Sequence, residues 1–76
     1  MAVMAESQLK SGTIFGDTDT QEYVYMPASE IGAATPLFVI ETVGSRQDIS
    51  LAEALSLIRR LSLKPVRHPR LGLSSC

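Results

Sequence analysis

The stretch "DISLAEALSLIRRLSL", residues 48–63, constrains this chain more than any other, because its apolar residues recur with the period of a helix. At about 100° per residue, Leu51, Ala54, Leu55, Leu57, Ile58 and Leu61 share one side, while Glu53, Ser56, Arg59 and Arg60 share the other. Ser50 stands where an N-cap belongs, and Glu53 follows three residues later, the spacing at which hydroxyl and carboxylate can each satisfy a free amide of the first turn. The spacing predicts a helix over 51–62 or a little further, and Pro65 forbids its regular continuation. A helix that is apolar along one side needs a surface to cover.

The remaining apolar segments supply strands. In "EYVYM" (22–26), Tyr23 and Tyr25 alternate with Val24 and Met26, the period-2 pattern of a sheet, and Pro27 ends the run. "PLFVIETV" (36–43) is β-branched and aromatic, with Pro36 acceptable at its first position and Gly44-Ser45 breaking it. Its first half is apolar on both faces, which fits a central strand or one buried in an interface. "TIF" (13–15) supplies a short edge strand, and "GDTDTQ" (16–21) is a cluster of turn formers between strands. "ASEIGAAT" (28–35) reads as a helical turn or a wide connection.

These elements define a small α+β fold: a two- or three-stranded antiparallel sheet packed by one amphipathic helix. The expected organisation is a flexible arm over residues 1–11, one domain over 12–63, and an extended basic tail over 64–76.

A core of this size is thin. A chain of 76 residues buries only about 60% of the surface its unfolded form exposes. Hydrophobic residues make up 45%, but there is no Trp and there are only four Tyr and Phe residues, so the core must be largely aliphatic. Domains this small usually need a staple. Cys76 is the one cysteine and His68 the one histidine, which excludes an intrachain disulfide and a Cys/His zinc site; no metal or other cofactor is expected. Association with a second copy, or docking onto a larger assembly, is the remaining route. The first residues lack the basic and apolar regions of a secretory signal, and "LFVI" is far shorter than the roughly 18 apolar residues of a membrane span. A soluble cytoplasmic protein with no membrane contact is the expectation.

The residue patterns argue against an enzyme. Asp17, Asp19 and Glu22 fall in a turn cluster, where carboxylates bond nearby amides. "DTDTQE" opens like a calcium loop, but Glu22 occupies the position that needs glycine and Ala28 the one that needs Glu. The five glycines never approach a phosphate-binding spacing. Cys76 and His68 lie in the expected tail, where nothing would hold a nucleophile to the roughly 3 Å geometry of catalysis. His68, between Val66-Arg67 and Pro69-Arg70, therefore reads as a solvated or partner-contacting ring.

Charge is the remaining signal. The net charge of −1 conceals a division: all eight acids lie in residues 1–53, whereas residues 54–76 hold five bases and no acid. Helix physics accounts for Arg59, Arg60 and Lys64, which suit the negative end of the macrodipole. "PVRHPR" (65–70) has no such local explanation. "RRLS" also places two arginines ahead of Ser62 at the spacing of basophilic kinase substrates.

The function expected from these features is a non-enzymatic protein–protein interaction module, either a self-associating small protein or an accessory subunit. Its anchors would be Phe38 and Ile40, or Leu37 and Val39, on whichever sheet face the helix leaves open. Arg59, Arg60, Lys64, Arg67, His68 and Arg70 would supply steering and rim contacts. The alternative is a small nucleic-acid-binding regulator using the basic C-terminal segment. Against it stand a pI near 5.7 and Tyr residues confined to the acidic half.

Overall fold

Phe15, Val24 and Phe38 come from three separate strands and point to the same side of one antiparallel sheet, where they meet Ala54 and Ile58 of a helix. The computed structural model describes residues 2–68. In chain order these form α1 (Ala2–Lys10), β1 (Phe15–Asp17), β2 (Glu22–Tyr25), β3 (Phe38–Thr42), β4 (Ser45–Ile49), α2 (Leu51–Arg60) and β5 (Lys64–Pro65), with a single 3-10 turn at Ala28–Glu30 between β2 and β3. The sheet order is β4-β3-β2-β1-β5, antiparallel throughout. The first four strands meander. The chain then crosses one face as α2, over β2 and β3, and β5 pairs with β1 at the far edge.

The α+β class therefore holds, but the sheet has five strands where two or three were expected. β4 escaped notice because "SRQDI" is polar, and only Ile49 is buried. β5 is two residues long and contains Pro65, tolerated because an edge strand need not donate on its outer side. β1 was expected at an edge and lies between β2 and β5.

α2 forms as its periodicity requires. Ser50 is extended (φ −79°, ψ 167°) and its Oγ accepts from the Glu53 amide at 3.2 Å, the hydroxyl half of the capping box. The helix ends at Arg60, slightly earlier than expected, in a Schellman motif: the Leu63 amide donates to the Ile58 carbonyl at 3.0 Å and the Ser62 amide to Arg59 at 3.3 Å. Ser62 takes φ 54°, the left-handed conformation that this motif demands and that glycine adopts more easily.

Residues 2–10 are a helix, not the loose arm expected of 1–11. α1 closes with the same motif: Thr13 N–H donates to Gln8 and Gly12 N–H to Leu9, with Gly12 at φ 98°. Leu9 is fully buried in the cluster that α2 covers, together with Phe15, Val24, Met26, Phe38, Ile49, Ala54, Ile58 and Leu63. α1 lies in contact with α2. The segment looked loose in sequence because it carries little amphipathic pattern, and one buried leucine is enough to dock its last turn.

Candidate functional site

The sheet face opposite the helices is the more informative one. Strand alternation sends Tyr23 and Tyr25 of β2, and Val39 and Glu41 of β3, to this side, because their neighbours Val24, Phe38 and Ile40 face the helices. Lys64, Gly16, Tyr23, Glu41 and Arg46 stand opposite one another in a single row across the sheet. In the next row, Tyr25, Val39 and Asp48 are opposed in the same way. Ile14, Tyr23, Tyr25 and Val39 form a second buried cluster, against which Val66 packs.

Beyond β5 the chain turns onto this face. The Val66 amide donates to the Ile14 carbonyl at 2.9 Å. His68 then lies 4.6 Å from the Tyr23 ring and 5.7 Å from the Tyr25 ring, centroid to centroid. It is 1% exposed. The Nε2 of His68 is 3.2 Å from Oε2 of Glu41, and the Tyr25 hydroxyl donates to Oε1 of the same carboxylate at 2.8 Å. Both oxygens of Glu41 are thus engaged by side chains from β2 and from the segment after β5. Gly16 permits the arrangement. A Cβ there would stand 2.8 Å from the Glu22 carbonyl oxygen and closer still to the Tyr23 ring.

The Tyr25–Glu41–His68 network is a closure rather than an open cleft. It ties residues distant in sequence and holds residues 66–68 across the sheet. An open groove of about 420 Å³ adjoins it, lined by Gln21, Tyr23, Glu41, Thr42, Val43, Gly44 and His68. Among the described residues, no group of three or more His, Cys, Asp or Glu side chains is placed to hold a metal ion. The turn carboxylates have local partners: Asp17 Oδ1 accepts from the Asp19 amide at 2.9 Å, and Glu22 Oε1 from the Thr20 hydroxyl at 3.1 Å.

The residues singled out from the sequence are dispersed. Arg59 and Arg60 are exposed on α2, on the helix-covered side, whereas Lys64 shares a row with Tyr23 on the opposite face. Arg67 is exposed, and Arg70 lies outside the described residues. His68 is buried rather than solvated, because the aromatic pair and Glu41 provide it with a site. Phe38 cannot anchor a partner either, being fully buried beneath the helices, and Val39 is 1% exposed within the second cluster. The two-sided apolar character of this strand is consumed inside the protomer. Ile40 is half-buried against the core and Leu37 is exposed.

What sequence reasoning missed is the convergence of Tyr25, Glu41 and His68. The alternation of Tyr23 with Tyr25 was visible, and Glu41 is two residues beyond Val39 on the same face. Only the path of the chain after β5 brings the histidine to them.

Among the described residues, no helix is long and apolar enough to cross a membrane. Comparison with protein-family models, with curated proteins and with solved structures finds no match to this chain.

Proposed function

We propose that this chain works by protein–protein contact and that its partner is a second copy of itself. The observation that carries the reading is the open edge of the sheet. Among the described residues β4 pairs with β3 alone, and Ser45, Arg46, Gln47 and Asp48 are all exposed. Its register against β3 runs unbroken over five residue pairs, so the strand presents a regular row of outward amides and carbonyls. The opposite edge differs: β5 is two residues long and includes a proline. Val43, at the hairpin tip that leads into β4, is 73% exposed, adding an apolar side chain beside the open edge.

The side chains best suited to chemistry support a non-enzymatic role, since Tyr25 and His68 are both turned onto Glu41. Nucleic-acid binding draws less support, because Arg59 and Arg60 occupy one side of the sheet and Lys64 the other, which makes no continuous basic stripe among the described residues. Light scattering after size exclusion, across a hundredfold range of concentration, tests the reading. A dimer that dissociates on dilution is expected. A monomer at every concentration overturns it.

A further inference from the structure

We infer that two copies join edge to edge through β4, antiparallel about a two-fold axis at Gln47, so that the two five-stranded sheets become continuous. This rests on the self-association reading and deepens it by naming the surface and its register.

The hairpin fixes which residues of β4 can bond outward. Thr42 pairs with Ser45 across the two-residue turn Val43-Gly44, so these two exchange the closing hydrogen bonds of the hairpin. In an antiparallel ladder, bonded and non-bonded pairs alternate. Ser45, Gln47 and Ile49 therefore bond inward to β3. Arg46 and Asp48, opposite Glu41 and Val39, turn their amides and carbonyls to the open edge. An added strand must pair with the backbone of Arg46 and Asp48.

Charge then selects among the two-fold registers. An axis at Arg46 sets Arg against Arg, and an axis at Asp48 sets Asp against Asp; like charges directly opposite are destabilising. An axis at Gln47 sets Arg46 of each copy against Asp48 of the other. The residues that can exchange backbone bonds are then also those of opposite charge. Both side chains are exposed, and among the described residues neither takes part in an ion pair. Asp48 and Arg46 lie on the face that carries Glu41 and Val39, so the two charge pairs would flank the axis on that face. Gln47 would face Gln47 of the second copy as a non-bonded pair, with Cα atoms about 4.5 Å apart.

That distance is within the span of a disulfide, about 4.4–6.8 Å. The test uses the full chain with Cys76→Ser to remove its only thiol, adding Gln47→Cys, or Ser56→Cys on the exposed face of α2 as a control. Under mild oxidation Gln47→Cys is expected to form a disulfide-linked dimer at least tenfold faster than the control. Charge exchange gives the second readout: Arg46→Asp or Asp48→Arg alone weakens the dimer by about tenfold, and the two together restore it to within about threefold. If the unmodified chain is dimeric but Gln47→Cys links no faster than Ser56→Cys, or the double exchange fails to restore association, the β4 surface is overturned while self-association stands. If the unmodified chain is monomeric throughout, both are overturned.

Discussion

The Nε2 of His68 lies 3.2 Å from Oε2 of Glu41, across 27 residues of sequence, and this contact closes the sheet face opposite the helices. His68→Ala would remove that hydrogen bond together with the ring contacts to Tyr23 and Tyr25. It would also leave Glu41, a half-buried carboxylate, with one fewer partner. The expected loss of stability is about 2–4 kcal/mol in urea denaturation, against less than about 0.5 kcal/mol for exposed Arg67→Ala. Equal, near-neutral effects would mean that the segment after β5 is not docked.

Gly16 is a packing requirement of the same face. Gly16→Ala would drive a methyl against the Glu22 carbonyl and the Tyr23 ring. The carbonyl belongs to the paired strand and cannot move without disturbing the β1–β2 register, so overpacking should cost about 1–3 kcal/mol. A thermal midpoint within a degree of the unmodified chain would refute this.

α1 is part of the core. Leu9→Ala would leave a void beneath it, and a loss of about 2–4 kcal/mol is expected from denaturant midpoints. Ser11→Ala nearby, exposed, serves as the reference, although it also removes a hydroxyl bond to the Ser7 carbonyl. A near-neutral Leu9→Ala would restore the loose arm that composition alone suggests.

The two ends of α2 should respond in opposite directions. Ser50→Ala removes the cap on the Glu53 amide and should destabilise by about 1 kcal/mol. Ser62→Gly relieves a left-handed non-glycine residue and should stabilise by about 0.5–1 kcal/mol. Differential scanning calorimetry reads both. A destabilising Ser62→Gly would show that the side chain contributes more than its backbone strain costs.

Local chemistry explains what was legible. The start of α2 follows from Ser50 and Glu53, and its buried side from a 3.6-residue period, all within one short window. β2 and β3 follow from alternation and β-branching, and the "GDTDTQ" turn from carboxylates that bond their own neighbouring amides. β4 was illegible because an edge strand needs no apolar alternation: its inner side is satisfied by β3 backbone, and only Ile49 must be buried. α1 was illegible because Leu9 enters a cluster built by residues far along the chain.

By itself, then, the sequence determined the class of fold, the capped helix, the two best strands and the separation of acidic from basic halves, since each is a consequence of neighbours within a few residues. Only the tertiary structure decided the five-strand order, the burial of both faces of β3, and the fate of His68. Those depend on where β5 returns to the sheet. Once it pairs with β1, the following residues cross Tyr23 and Tyr25, and a histidine that composition would leave in solvent meets the carboxylate of Glu41 instead.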